Sequence, residues 1–268
     1  MNSSNSEIQN KVQDRTTKAW RKLCEYIEEL AENGEDEFVP REFLGDELFA
    51  QIHTLPETIS KLKKVRKVGL YGSALKRIPP EIGEMESLEY FDPYTSYDLH
   101  WLPYELTKCK QLKDSRISTR ALYGNYKNRM TFPSLDHNPV RYDGAVLRCS
   151  VCEKELTYET TNQMWISAYV GTDTIPMLAN LCSKRCEQDL LTPPKDYVQV
   201  PHKGGVDLIQ PPDEDELWKL EIKALEKAEK ENHHKEELVN RSNKDPEKVK
   251  LNMSKLPMLK LVRKIWEK

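Results

Sequence analysis

Apolar and polar positions alternate along the chain in four blocks, each with its own period. From residue 7 to 33, Ile8, Val12, Ala19, Leu23, Ile27 and Leu30 recur at helical spacing, with Trp20 and Tyr26 flanking the stripe. That period predicts a single amphipathic helix. Asn33-Gly34 should end it, since both residues accept the left-handed conformation of a helix terminus. The following Glu35-Asp36-Glu37 reads as a solvated turn. A helix so placed is expected to cap the block that follows, which makes residues 1–43 an N-terminal helical cap.

The second block, 44–140, repeats itself. Leu62, Val65, Val68, Leu70, Ser73, Leu75, Ile78, Pro79 and Ile82 set a register that starts again at Met85, 23 residues on, and continues through Leu88 and Phe91. Leu55-Pro56-Glu57-Thr58-Ile59, Ile78-Pro79-Pro80-Glu81-Ile82 and Leu102-Pro103-Tyr104-Glu105-Leu106 match at spacings of 23 and then 24. The extra residue falls near Tyr97 to Leu99. Val68 and Leu70 alternate as one face of a short strand does, and the other apolar positions suit a loose helical return. About three units are recognisable, close to the minimum that a stacked repeat needs. Phe132-Pro133-Ser134-Leu135 echoes the signal weakly.

These residues resemble the 23-residue leucine-rich repeat, in the variant with Leu-Pro-x-x-Ile after the strand. The resemblance implies an α/β fold, a short solenoid of stacked strand-and-turn units. Ser73 stands where that family has Asn, and Ser115 takes a core position of the third unit; both departures should weaken the local pattern. By register, Lys67, Gly69 and Tyr71, then Tyr90, Asp92 and Tyr94, then Asp114, Arg116 and Ser118 point away from the core and line the concave face. Tyrosine and arginine are common binding hot spots, so Lys67, Tyr71, Tyr90, Asp92, Tyr94, Asp114 and Arg116 are the candidate partner-binding residues. The tyrosines would serve equally well as a ladder stacked for structure.

The third block, 141–212, carries the chemistry. Cys149-Ser150-Val151-Cys152 and Cys182-Ser183-Lys184-Arg185-Cys186 form C-x2-C and C-x3-C, with 29 residues between them. Two thiolates in a tight turn and two on the first turn of a helix supply the four soft ligands of tetrahedral zinc. Met164 to Val170 is strand-rich, and Glu187 to Leu191 continues the short helix that carries the last two ligands, until Pro193-Pro194 ends it. The order of knuckle, strands and helix resembles a treble-clef zinc finger, a small α+β module. One structural Zn2+ on Cys149, Cys152, Cys182 and Cys186 is the expected cofactor, since four protein ligands leave no open position. His137 and His202 then read as ordinary surface or loop residues, Cys24 and Cys109 as small buried hydrophobes, and Gly204-Gly205 as a flexible loop. Residues 40 to 212 together look like a group of bacterial leucine-rich repeat proteins that carry this cysteine module, a likeness that implies no chemistry.

The last block, 213–268, is a charged helical or partly disordered tail. Asp213 to Asn240 is almost wholly Glu, Lys and Ala around Leu217, Leu220, Leu225 and Leu238, which predicts a solvated helix that Arg241 to Pro246 breaks. Val249 to Lys268 is basic and amphipathic, a pattern that fits an anionic membrane surface, a partner's groove or a helix folded back.

Composition sets the outer limits. Hydrophobic residues make up 38% and charged residues 32%, too few apolar positions for one compact core of this size. No run is long enough to span a membrane, and Met1 to Ser6 lacks the pattern of a secretory signal. A cytoplasmic protein is expected, with export lacking a cleaved signal left open. The net charge of −3 predicts no general affinity for nucleic acid. Around the cysteines, Arg148, Lys154, Lys184 and Arg185 are matched by Glu153, Glu155, Glu159, Glu187 and Asp189, whereas a phosphate-tracking surface is dominated by positive charge. The leading expectation is a non-enzymatic module that binds a protein partner on its concave face. Nucleic-acid binding through finger and basic tail is the alternative, and catalysis near His137 or His202 would need a buried, pKa-shifted group there.

Overall fold

A computed structural model describes residues 8–143 and 146–244. The chain is a mixed α/β protein whose described part forms two units, one ending at Glu214 and one starting at Asp215.

The first helix, α1 (Lys18–Asn33), is shorter than its apolar stripe predicts. Thr17 caps it, accepting the Trp20 N–H at 3.1 Å. Gly34, at φ 69°, ends it by returning its N–H to Leu30. Ala19, Trp20, Leu23, Ile27 and Leu30 form its buried face. Residues 8–17 stay outside the helix because other groups claim their polar atoms. Arg77 donates to the Gln9 carbonyl at 2.7 Å, the Arg141 N–H to Asn10 at 2.9 Å, and the His53 N–H to Gln13 at 2.7 Å. Ile8 packs on a small aromatic core rather than along the helix stripe.

Glu35-Asp36-Glu37 is more than a turn. The Asp36 carbonyl accepts from Arg66 and Lys67, and β1 (Glu37–Phe38) lies parallel to β2 (Lys67–Gly69). The N-terminal segment thus contributes the first strand of the sheet, and two short helices, α2 (Pro40–Leu44) and α3 (Asp46–Phe49), follow it. The sheet continues through β3 (Tyr90–Asp92) to β5 (Asp114–Ser115), all parallel, in the order β1-β2-β3-β5. Phe38, Val68, Phe91 and Ser115 fall in one register and are all buried. Burying each large apolar side chain in this column contributes about 1.5–3 kcal/mol.

Single 3-10 turns at Glu57–Lys61, Pro80–Glu84 and Tyr104–Lys108 lie opposite the strands and bury Ile59, Ile82 and Leu106. Pro56, Pro79 and Pro103 precede them with φ near −70°, the value that the proline ring imposes. Successive turns approach so closely that a Cβ at Gly83 would stand 2.5 Å from the Glu105 carbonyl oxygen; only glycine fits there. Serines link the turns that follow the strands. Ser73 and Ser96 hydroxyls meet at 2.6 Å, Ser96 donates to the Leu70 carbonyl, and Ser118 accepts the Thr95 N–H at 2.8 Å.

The second sheet has the order β4-β7-β6. Strands β6 (Asn162–Val170) and β7 (Asp173–Leu181) form an antiparallel hairpin, and β4 (Leu102–Pro103) adds parallel to β7. Pro176 inside β7 obscures that strand in the sequence, because proline normally marks a strand edge or end. The hairpin tip docks on the last strand of the first sheet: the Thr172 N–H and hydroxyl bond Ser115, whose own hydroxyl reaches Asp173 at 2.9 Å. One apolar core runs from α1 to Cys149 and Cys186. A smaller one gathers Trp101, Phe132, Leu135, Val140, Trp165 and Leu178.

In the other unit, α5 (Glu214–Lys244, its first residue belonging to the preceding unit) leaves Leu217, Leu220, Leu225 and Leu238 exposed. The helix runs through residues 241–244, where a break was expected. The basic stretch Val249 to Lys268 and the segment Met1 to Ser6 lie outside the described residues. No helix among the described residues is long and apolar enough to cross a membrane.

Candidate metal centre

Four sulfurs meet at one point. The Sγ atoms of Cys149, Cys152, Cys182 and Cys186 all lie within 4.8 Å of one another. Cys182 stands 3.5 Å from Cys152 and 3.6 Å from Cys186. Metal–sulfur bonds of about 2.3 Å in a tetrahedron put the sulfurs roughly 3.8 Å apart, so the spacing fits a single four-coordinate ion. The set can hold one metal ion, and four protein ligands complete its coordination.

Local structure aims each ligand. Cys149 and Cys152 lie in a turn closed by the Glu153 N–H on the Cys149 carbonyl at 2.9 Å and the Cys149 N–H on Lys154 at 2.8 Å. Glu153 takes a left-handed φ of 62° to complete it. Cys182 follows the end of β7. Ser183 then caps α4 (Lys184–Gln188), accepting the Cys186 N–H and so placing Cys186 in the first helical turn. The Ser183 cap sets its start, and the helix ends at Gln188, short of the expected Leu191. Burial disfavours the Cys149 thiolate, yet N–H groups of Cys152, Val151 and Cys182 directed at its sulfur bring it down to about 7. A deprotonated sulfur is the form that binds metal.

A buried polar thread ties the cysteine turn to its surroundings. Ser150 donates to Glu105 at 2.6 Å and accepts the Asn180 N–H at 2.8 Å, while its own N–H bonds the Asn180 carbonyl. Gln163 donates to the Asn180 side chain at 2.9 Å and exchanges two bonds with the Val140 backbone at 2.8 Å. Glu105, Ser150, Gln163 and Asn180 were not legible as site residues. Gln163 and Asn180 are polar side chains inside the hairpin strands, whereas Glu105 stands at a variable polar position of the repeat and Ser150 between two cysteines, where nothing marks them.

The residues expected on the open face separate into two groups. Tyr71 and Tyr94 are exposed, with ring centroids 6.2 Å apart, and the Arg116 guanidinium stands 5.1 Å from the Tyr94 ring. Lys67 is exposed and paired with Glu37 at 3.0 Å; Asp114 is exposed. Tyr90 is half-buried and donates to Asp92. Asp92 itself is buried: it also accepts the Tyr94 N–H and pairs with Arg116 at 3.2 Å. Asp92 and Ser118, expected to line the face, are thus internal supports.

His202 differs from the surface residue expected. It is buried, pairs by backbone with Trp165, and sets its ring edge-on to Phe132 at 4.7 Å; burial pulls it down to about 4. His137 is exposed. Both N–H groups of Gly204-Gly205 are taken, by the His202 ring and the Phe132 carbonyl. Cys109 is buried against the Ile82 carbonyl, whereas Cys24 is only half-buried. Basic residues around the cysteines lie beside acids: Lys184 bonds Glu187, Arg148 lies 4.0 Å from Glu155 and Arg185 4.0 Å from Asp189, and Lys108 of the neighbouring turn bonds Glu153. No family model, curated protein or solved structure matches this chain.

Proposed function

We propose that this protein is a non-enzymatic binding module, a short leucine-rich repeat solenoid closed by a structural zinc finger, which docks a partner protein on its strand-lined face. Zinc suits the four-sulfur set, because thiolates favour it and it prefers tetrahedral geometry. The observation that carries the binding reading is the row of Tyr71, Tyr94 and Arg116. Large amphipathic side chains are held side by side yet stay open to solvent, and Asp92 fixes Arg116 and the Tyr94 backbone from below. Such a prearranged surface loses little conformational freedom on docking.

The test is affinity capture from a lysate of the organism that encodes the protein, comparing wild type with a Tyr71→Ala/Tyr94→Ala/Arg116→Glu variant by mass spectrometry. A protein lost only with the variant supports docking on this face. Identical lists overturn it and move attention to the finger.

A further inference from the structure

The four sulfurs of the metal centre do not share one environment. Cys149 and Cys186 are buried, whereas Cys152 is exposed and Cys182 half-buried. The two that solvent reaches stand 3.5 Å apart and come from opposite sides of the site: Cys152 from the turn before β6, Cys182 from just past the end of β7. Neither lies in a helix or a strand, so no regular hydrogen-bond ladder resists a small movement of either. A disulfide brings its sulfurs to about 2.05 Å, which leaves this pair about 1.5 Å to close. Cys186 also lies 3.6 Å from Cys182, but it is buried and held in the first turn of α4 by the Ser183 cap.

Metal ligation keeps cysteine sulfurs deprotonated, and the thiolate is the reactive form of the side chain. Oxidation follows thiolate character and exposure; a ligated Cys152 has both. Taking the centre to hold zinc, as proposed above, we infer that Cys152 is a peroxide-reactive modification site with Cys182 as its resolving partner, and that oxidation of this pair releases the metal. The Cys152 thiolate attacks hydrogen peroxide: the O–O bond breaks, an S–O bond forms and hydroxide leaves. The Cys182 thiolate then attacks the Cys152 sulfenic acid, forming the S–S bond and expelling a second hydroxide. Two sulfurs are oxidised and one peroxide is reduced. Cys149 and Cys186 alone leave a four-coordinate ion with half its ligands. The new bond joins the same two segments that the metal joins, beside the bonds between Ser150 and Asn180. Reduction therefore returns four thiolates that are already gathered.

The test treats the full-length, zinc-loaded protein, its metal content measured first, with hydrogen peroxide while a chromogenic zinc indicator follows release. Glutathione disulfide serves as a second oxidant, and non-reducing peptide mapping identifies the bond formed. One zinc released per peroxide consumed, a Cys152–Cys182 disulfide, and rebinding of the zinc after dithiothreitol are expected. Cys24→Ala, at the half-buried thiol outside the site, should leave release unchanged. Cys152→Ser, which removes the reacting sulfur, should keep its zinc under the same peroxide; should that variant bind no zinc, the wild-type peptide map decides. A chain that takes up no zinc overturns the zinc reading and the redox step with it. Zinc that is bound but survives peroxide overturns the redox step alone. So do release with Cys149–Cys152 or Cys182–Cys186 as the bond formed, release that dithiothreitol does not reverse, and release by glutathione disulfide only.

Discussion

Buried titrating side chains give this chain opposite responses to pH: Glu81 and Glu105, both raised to about 7 by burial, against His202. Burial raises Glu81 from its ordinary 4.5 to about 7, with like charge from Glu57 and Glu105 adding to the effect. Between those values the unfolded chain holds fewer protons than the folded one, so stability falls as pH rises through the window. His202 falls from 6.5 to about 4 through burial. There the folded chain holds fewer protons, and stability falls as pH drops from 6.5 toward 4. Each shift is worth about 3 kcal/mol at most, and the histidine offsets the two glutamates only in part. Glu81→Gln is therefore expected to melt higher than wild type at pH 8 and to lose that advantage near pH 4.5. Calorimetric melting temperatures across pH 4–8 check it; a constant difference would mean that Glu81 does not titrate there. The sequence marks these residues only by type: nothing local distinguishes a glutamate on an open turn from one covered by a segment sixty residues away.

At the scale of elements, regularity was readable and docking was not. The parallel strands and their 3-10 turns repeat a local pattern, so Val68, Leu70, Ile78 and Ile82 announce themselves. The cysteine turn does likewise through spacing alone. The extended segment before α1 could not be read in this way, because Arg77, Arg141 and His53 compete for its polar atoms only once the chain has folded. Ser115 looks like a flaw in the repeat until the hairpin tip is seen to bond it. Ser150 is the strongest case. Its hydroxyl serves Glu105 and Asn180 together, so Ser150→Ala leaves a buried acceptor and a buried donor unmet, at about 1–3 kcal/mol each. A loss of about 2–5 kcal/mol by urea titration is expected, with metal still bound. Loss of the metal in step would show that Ser150 mainly positions the ligands instead.

For the whole molecule, the cysteine centre is where three parts of the chain are held together: the turn before β6, the end of β7 and, through Glu105, the 3-10 turn Tyr104–Lys108. Structural zinc sites contribute folding energy directly, so chelation should do more than free one loop. Strong chelator, or Cys149→Ser, is expected to expose Trp165 and Trp101, which pack edge to face at 5.5 Å and are both buried. Red-shifted tryptophan emission and faster amide exchange in β4, β6 and β7 would follow. Unchanged emission and exchange after verified metal loss would mean that the apolar cores suffice alone.

A row of parallel strands has no inherent length; each added strand offers the next one an equally good edge. Here the Thr172–Asp173 tip occupies Ser115 on the final strand and acts as a stop codon written in hydrogen bonds. Gene duplication could lengthen the row by inserting a unit between β2 and β3, where both neighbours speak the same pattern. It could not extend it past β5 without evicting the hairpin and the cysteine centre at its base. The hairpin thereby fixes where the row ends, whatever number of rungs precedes that end.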